Sequence, residues 1–299
     1  MAAAAGSRGF GLGRPGWRAR ADVVRTVFVA RIKIITRYKG AILMEALLPI
    51  VFAAMPVLLG TTVASQQGVD PGAVFCENTM VSGRCTTNFR LYMLIGASTF
   101  TVVSLMLWLI GYWVRREQET GTLESIYLAP AKRLHILAGV TSYSLVRSLS
   151  AFLVAMVIGS LLFGVNPFDG NLLASIGYLV LGIPALWGLS FIFGALIMRV
   201  KEANSVIQLI QWVVPFFMGV YFPVTMFPPL MRIVAMTFPP TLMNDAMRSS
   251  LLNISSLYGP GYIVLGLMFM AAWITPLLGY EFFGLMERRI RRNEGVGQY

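Results

Sequence analysis

Long apolar segments alternate with short polar stretches along most of the chain, from residue 41 to residue 286. Each apolar segment has roughly the 20 residues that an α-helix needs to cross the hydrocarbon core of a bilayer. The pattern predicts an all-α polytopic membrane protein with six transmembrane helices in a domain at 41–286. The predicted spans are residues 41–63, 91–114, 136–165, 172–198, 204–221 and 260–286.

The segment before the first span has a different pattern. Residues 1–21 are rich in alanine, glycine and arginine and lack an apolar core, so we expect a disordered tail and not a secretory signal. Residues 22–40 place valines and Phe28 on one helical face and Arg25 and Lys33 on another. This spacing predicts an amphipathic helix in the headgroup layer of the membrane, with a partner-binding helix as the alternative.

The segment between the fifth and sixth spans is interrupted by prolines, at positions 223, 228, 229, 239 and 240. Two short helical runs lie between them, at 230–237 and 241–252, and the second carries Asp245 and Arg248. Backbone that is broken in this way is tolerated at membrane depth only where protein or water covers it. We therefore expect a pair of re-entrant or interfacial helices on the outer side.

Polar side chains follow helical spacing in the fifth span. Asn204, Gln208 and Gln211 recur at i, i+4 and i+7, which places three amides on one face. Such a face is costly against lipid, so it must point at protein or water. The pattern leaves two interpretations open: contact with a neighbouring helix, or the lining of a transport path.

Composition supports a membrane protein, and charge predicts its orientation. Hydrophobic residues make up 57% of the 299 residues and charged residues only 12%, against roughly 25% charged in soluble domains. The net charge of +11 comes from Lys and Arg that flank apolar segments, so we expect no nucleic-acid partner. Nine of these residues precede the first span, whereas the proposed outer segments together carry four. The bias predicts a plasma or inner membrane protein with both termini cytoplasmic, including the tail at 287–299.

The sequence offers little chemistry of its own. No G-x-x-x-x-G-K-[ST] run is present, so we expect no ATP site on this chain. The single histidine, His135, argues against a catalytic triad and against a metal site, so we expect neither catalytic nor metal-binding residues and no enzyme activity of its own. Cys76 and Cys85 share the first outer loop, where a disulfide is allowed and is expected, with two free thiols as the alternative.

The connector between the second and third spans, at 115–126, is dense in charge. Gly121 allows a break in helix direction, and Thr122 can cap a new short helix. Glu124 would lie in its first turn, where negative charge is favoured. The connector is therefore either an ordinary solvated loop or a short helix on the cytoplasmic side that a soluble partner could bind.

This connector resembles the coupling-helix motif of the ABC-2 family of transporter permeases, in the run Arg116-Glu117-x-x-x-Gly121-Thr122-Leu123-Glu124 followed by Ala129-Pro130 and a basic pair. The proline-rich segment that ends in Arg248 and the six-span layout are similar to the same family. The resemblance covers nearly everything after residue 22, although the first outer loop is longer than is typical. It implies an amphipathic connecting helix, a cytoplasmic coupling helix and outer re-entrant helices between spans five and six.

The resemblance also implies partners and sites. A second copy of the permease and two copies of an ABC ATP-binding subunit are expected in a lipid membrane, with ATP and Mg²⁺ on the partner and no cofactor on this chain. The residues expected to couple to the ATPase are Arg116, Glu117, Gly121, Thr122, Leu123 and Glu124. Spans two and five are expected to line the substrate path, through Ser98, Thr101, Asn204, Gln208, Gln211, Trp212, Phe216 and Phe217. Ordinary packing is the alternative for these aromatic side chains.

The function implied by the resemblance is that of the permease subunit of an ATP-driven exporter. The expected cargo is amphipathic or hydrophobic, a drug-like molecule or a lipid, and a lipid-linked saccharide or polysaccharide is the alternative. An ion-coupled carrier that acts without an ATPase is the alternative from another class. Such a carrier usually buries more acidic groups than this sequence offers, since Glu45, Arg147 and Glu281 are its main intramembrane charges. An intramembrane enzyme is disfavoured by the lack of paired catalytic groups.

Overall fold

The computed structural model describes residues 17–37, 39–66, 89–119, 133–167, 170–197, 200 and 203–293. Within these residues the chain forms helices and no strand, so the all-α class is confirmed there. The helices are α1 Trp17–Arg37, α2 Lys39–Gln66, α3 Phe89–Glu119, α4 Arg133–Phe163, α5 Leu172–Ile197, α6 Ala203–Phe217, α7 Pro229–Thr237, α8 Pro239–Leu252 and α9 Gly261–Asn293, with a 3-10 turn at Val224–Met226.

Four of the described helices contain a stretch that is long and apolar enough to cross a membrane. These stretches are Phe89–Leu107, Ser142–Phe163, Leu172–Ile197 and Gly261–Met286, and they correspond to predicted spans two, three, four and six. Predicted span one falls in α2, and predicted span five falls in α6. The 15 residues of α6 rise only about 22 Å, less than the roughly 30 Å of a hydrocarbon core. The full set of six spans therefore stays a prediction.

Helix α3 lies at the centre of the bundle. Its candidate span is 89% buried, whereas that of α9 is 11% buried. Helices α2, α4, α5 and α8 all pack against α3. Large side chains such as Leu94, Ile95 and Met106 are fully buried at these contacts. Because every neighbour is placed relative to α3, its small and polar residues determine what can approach the centre.

The start of α3 lies near the end of α4, because Arg90 Nη1 donates a hydrogen bond to the Phe163 carbonyl at 3.4 Å. Helix α8 then joins the starts of α3 and α5. Arg248 Nε donates to the Tyr92 carbonyl at 3.3 Å, and the Asn171 N–H donates to the Ser250 carbonyl. The chain therefore leaves α3 at the opposite end of the bundle, where the segment between α3 and α4 begins.

Helices α5 and α9 approach closely because two glycines face each other. A Cβ atom on Gly188 would overlap the backbone of Thr275, and one on Gly279 would overlap the backbone of Gly188. The Thr275 hydroxyl also donates to the Ala185 carbonyl at 3.2 Å. Without side chains at these glycines, the two backbones come into direct contact, which fixes α9 against α5.

Helix α1 packs against the start of α4. Val24 and Val27 are half-buried, and a Cβ atom on Gly139 would lie 2.8 Å from Val27 Cβ. Arg25 and Lys33 on the other side are exposed. The helix begins at Trp17, before the predicted boundary at residue 22, and the rest of the predicted tail lies outside the described residues. Its position in the headgroup layer stays a prediction.

The two short helices α7 and α8 occupy the proline-rich segment, close to the predicted runs 230–237 and 241–252. Pro229 and Pro239 each begin a helix, where proline costs no helical hydrogen bond. Helix α8 is largely buried against α3 and α5, whereas α7 is mostly exposed. Whether this pair re-enters a membrane stays a prediction.

Candidate functional site

The predicted coupling residues fall mostly outside the described residues. Arg116 and Glu117 lie in the last turns of α3, and Gly121, Thr122, Leu123 and Glu124 belong to the segment outside the description. Cys76 and Cys85 also lie outside it. The predictions of a coupling helix and of a disulfide therefore stay predictions.

One face of α6 is exposed along the whole helix. Asn204, Gln208, Trp212 and Phe216 recur every four residues and are all exposed, Trp212 to 67%. Gln211 is half-buried beside this face. The face combines amides with aromatic rings, so a purely apolar environment leaves amide groups without hydrogen bonds at a cost in free energy.

The other candidate path residues lie elsewhere. Ser98 and Thr101 of α3 are buried within the protomer, 0% and 5% exposed. The Thr101 hydroxyl donates to the Ala97 carbonyl at 3.0 Å, whereas Ser98 Oγ has no hydrogen-bond partner among the described residues. These side chains and the exposed α6 face therefore do not form one surface of a single protomer.

A cluster of four phenylalanines closes the end of α6. The Phe216 ring lies 5.6 Å from that of Phe217, 5.3 Å from that of Phe222 and 5.0 Å from that of Phe227, measured between ring centroids. Edge-to-face and tilted pairs at these distances are favourable. Phe216 and Phe217, singled out from the sequence, are thus packed with two rings that the sequence analysis did not select, although Phe216 remains 39% exposed.

Helix α6 ends in a tight backbone turn at Gly219, whose φ is +65°. The Gly219 N–H donates to the Phe216 carbonyl and the Val220 N–H to the Pro215 carbonyl, the two hydrogen bonds of a Schellman motif. A positive φ of this size favours glycine. The turn stops α6 and leaves the carbonyls that follow it without partners in their own helix.

Three side chains of α8 provide those partners. The Thr241 hydroxyl donates to the Phe217 carbonyl at 3.1 Å, and Asn244 Nδ2 donates to the Met218 carbonyl at 2.9 Å. Arg248 donates through Nη1 to the Gly219 carbonyl at 2.8 Å and through Nη2 to the Val220 carbonyl at 3.1 Å. The donors are spaced i, i+3 and i+7, so a single face of α8 binds the end of α6. We call these residues the α8 donor row.

Arg248 also connects this end to α3. Its guanidinium is 3% exposed and lies 3.6 Å from the centroid of the Tyr92 ring, a cation–π distance. A Cβ atom on Gly96 would overlap Nη2 and lie 3.1 Å from Cζ, so only glycine leaves room for the group. The positive charge is favourable near the C-terminal end of α6 because that end carries the negative pole of the helix dipole.

Asp245 holds the chain that follows α8. Its Oδ2 accepts hydrogen bonds from the Ser256 hydroxyl and from the Leu257 N–H, the latter at 3.1 Å. Burial raises the pKa of Asp245 to about 6, although these two donors and Arg248 act in the opposite direction. The α8 side chains thus bind the end of α6 on one side and the start of the α9 connection on the other.

The sequence analysis missed the α8 donor row. It noted Arg248 and Asp245 as charges in the proline-rich segment, but it did not assign Thr241, Asn244 or their targets. The available signal was the i, i+3, i+7 spacing of three donors on one short helix. The targets could not be found in this way, because backbone carbonyls have no sequence signature.

The arrangement is suited to holding a surface and not to bond chemistry. Among the described residues, no three His, Cys, Asp or Glu side chains are grouped so that they could hold a metal ion. The α8 donors are bonded to backbone carbonyls within the protomer. What the site presents outwards is the exposed α6 face, fixed in place by the α8 donor row.

Comparison with known proteins agrees with this architecture. The sequence pattern of the family described as ABC-2 family transporter protein matches residues 77–278, about two thirds of the chain. The matched region runs from before α3 into α9 and includes α6 and α8. A search of curated proteins finds no match. Members of the family are membrane transport subunits that generally work with a separate ABC ATP-binding subunit. The chain therefore belongs to the ABC-2 family of transporter proteins and is a transport subunit of a membrane.

Proposed function

We propose that two copies of this chain form the membrane-spanning part of an ATP-driven exporter in the cell membrane, with both termini in the cytoplasm. Two ABC ATP-binding subunits would bind ATP and Mg²⁺ and drive the transport cycle. The cargo would be amphipathic or hydrophobic, a drug-like molecule or a lipid, taken from the cytoplasm or the inner leaflet. The observation that carries this proposal, beyond the family itself, is the exposed α6 face.

The α6 face needs a cover that lipid does not supply. Asn204 and Gln208 are exposed on a helix shorter than the hydrocarbon core. Amides that face lipid lose the hydrogen bonds that they make with water. A second copy of the same helix, or a water-filled path between two copies, would satisfy them. Both arrangements place α6 at a contact between protomers.

The chemistry of the face indicates the class of cargo. Trp212 and Phe216 offer large apolar surfaces, and the amides one and two turns away offer hydrogen bonds. A molecule with an apolar body and a few polar groups matches this combination. A saccharide chain would require more hydrogen-bonding groups than the α6 face has. This comparison favours the amphipathic cargo over the lipid-linked saccharide.

The energy source would act through the segment between α3 and α4. This segment contains the predicted coupling residues from Gly121 to Glu124 and follows directly on Arg116 and Glu117. It begins at the end of the bundle opposite to the starts of α3 and α5. Closure of the ATP-binding subunits would push on this end and tilt the two protomers relative to each other.

Crosslinking tests the contact between copies. In a Cys76→Ser/Cys85→Ser background, Gln208→Cys in native membranes should give a dimer with a short bis-maleimide reagent. Leu265→Cys is the matched control, since Leu265 is 51% exposed on α9, far along the chain from the α6 face. Dimers from the control alone, or from both variants equally, would contradict the α6 contact.

A transport assay tests the energy source. Inside-out vesicles that contain the chain and its ATP-binding subunit should accumulate a fluorescent amphipathic dye only when ATP is added. Accumulation should persist when an ionophore dissipates the proton gradient. Uptake that needs the ion gradient and ignores ATP would instead support the ion-coupled carrier. Failure of the ATP-binding subunit to co-purify would argue against the proposed assembly.

A further inference from the structure

A polar cavity lies at the end of the bundle where α5 and α9 begin. Its volume is about 410 Å³, and it is bounded by the first turn of α5, the end of α8 and the start of α9. This volume is within the roughly 300–1,000 Å³ of small-molecule sites. The residues that determine its chemistry are Asn171, Ala174, Tyr178, Ser249, Ser250 and Ser256. No residue of the exposed α6 face lines the cavity, so it is separate from the proposed path.

The hydroxyl groups of the cavity offer acceptors. Ser249 Oγ donates its proton to the Ala246 carbonyl, and Ser250 Oγ donates to the Met247 carbonyl, both at 3.0 Å. Ser256 Oγ donates its proton to Asp245. Because a serine hydroxyl has one proton and two lone pairs, each oxygen can still accept a hydrogen bond from a ligand. Three hydroxyl oxygens in one cavity match the hydroxyl protons of a ligand.

Donors stand on the opposite side of the cavity. Asn171 Oδ1 accepts the Ala174 N–H at 3.0 Å and so caps α5, which orients Nδ2 as the remaining donor group of this side chain. The Tyr178 hydroxyl lies beside Gly261, where an added Cβ atom would come within 3.7 Å. The Tyr178 ring adds an apolar wall next to these polar groups.

The lining excludes several ligand classes. None of the lining residues that the structure describes carries a charge, so an ion would have no countercharge there. A fully apolar ligand would leave the serine and asparagine groups without hydrogen bonds. A ligand that carries several hydroxyl groups and a ring with an apolar face satisfies both the donors and the acceptors.

We propose that this cavity binds a neutral polyhydroxylated group of the size of a mono- or disaccharide. The group could belong to a free sugar or to the headgroup of a glycolipid, since both present the same hydroxyl chemistry. The site stands on the cavity alone and does not depend on the proposed exporter function. An exporter without this site, and this site on a protein that does not export, are therefore distinguishable.

The test uses the full chain in phosphatidylcholine nanodiscs, prepared with a detergent that carries no sugar. This precaution matters because maltoside detergents present the proposed ligand chemistry. Maltose is the probe for the free-sugar arm, observed by saturation-transfer NMR. A diglucosyl diacylglycerol in the nanodisc is the probe for the glycolipid arm, and it should displace maltose if the headgroup is the better ligand.

Ala174→Phe should fill the cavity and weaken maltose binding at least about tenfold, since tenfold is the effect of losing one good hydrogen bond. Leu173→Phe is the matched control on the same helix, because Leu173 is 82% exposed and does not line the cavity. It should bind as the wild type does. Thermal unfolding without sugar shows whether both variants are folded.

A second variant keeps the test independent of packing. Asn171→Asp retains an oxygen that can cap α5 but removes the Nδ2 donor, so it too should weaken maltose binding at least about tenfold. The proposal is overturned if neither maltose nor the glycolipid binds the wild type. It is also overturned if Ala174→Phe and Leu173→Phe bind equally well.

Discussion

Replacing Arg248 by Met should destabilise the protein more than any other change of one exposed or buried arginine in the described bundle. Met retains much of the apolar length of the side chain and removes the guanidinium. The change leaves the Gly219 and Val220 carbonyls without their donors at the end of α6. It also removes the cation from the Tyr92 ring.

The expected size follows from these lost contacts. A buried polar group without a partner costs about 1–3 kcal/mol, and a desolvated cation–π contact contributes about 2 kcal/mol. Packing of the Met side chain offsets part of this loss. We therefore expect the free energy of unfolding to fall by about 3–5 kcal/mol, the range seen when one partner of a buried charged contact is removed.

Arg232→Met provides the matched control. Arg232 lies on α7, is exposed, and donates to the Thr225 carbonyl. An exposed group of this kind should change the free energy of unfolding by no more than about 0.5 kcal/mol. Arg248→Lys should lie between the two Met variants, because an ammonium keeps the charge near α6 but lacks the planar fork of donors.

Two measurements check this prediction in detergent. Thermal unfolding, followed by intrinsic fluorescence, should rank the variants as wild type, Arg232→Met, Arg248→Lys and Arg248→Met in falling order. Hydrogen exchange should show protection lost first at residues 214–222, where α6 ends. Equal unfolding temperatures for the two Met variants would refute the reasoning. Protection lost evenly over the bundle would show that the effect is not transmitted through the end of α6.

Three further changes test other contacts. Wild-type stability should fall by about 3 kcal/mol as pH rises from about 4 to about 6, because the raised pKa of Asp245 means that the folded state holds its proton more tightly; unfolding temperatures of Asp245→Asn should be flat in this range, and a parallel pH profile would exclude this cause. Gly188→Ala should destabilise the α5–α9 contact by about 1–3 kcal/mol, whereas Gly177→Ala on the same helix, with open space around it, should be neutral or slightly stabilising; similar unfolding temperatures would contradict the close packing. Gly121→Val and Glu124→Lys should insert normally and lose dye transport and substrate-stimulated ATPase activity, and wild-type transport by both would reduce the connector to a solvated loop.

The sequence was sufficient for the long helices of the bundle. The candidate spans in α3, α4, α5 and α9 agree with apolar segments that can be read within a window of about 20 residues. Hydrophobic length is a local property, and a membrane requires it wherever a helix crosses. The family could be recognised for a related reason, since its motifs are short runs at fixed positions along the chain.

The same local pattern was weaker for α6. The sequence predicts a span at 204–221, but the helix ends at Phe217, where the chain turns at Gly219. The amide spacing placed Asn204 and Gln208 together, and the structure has both exposed on one face. It gave no reason to place Ser98 and Thr101 in the interior, because serine and threonine suit a buried helix and a watered path equally well.

Tertiary structure alone decided what supports the α6 face. Arg248 and Tyr92 are 156 positions apart along the chain, and they meet only because α8 folds back onto the start of α3. Gly96 has a role only once the guanidinium lies against it. The sequence determines which segments must be helical, because that depends on neighbouring residues. Which backbone carbonyls a buried side chain reaches depends on how the helices pack, and no local pattern records it.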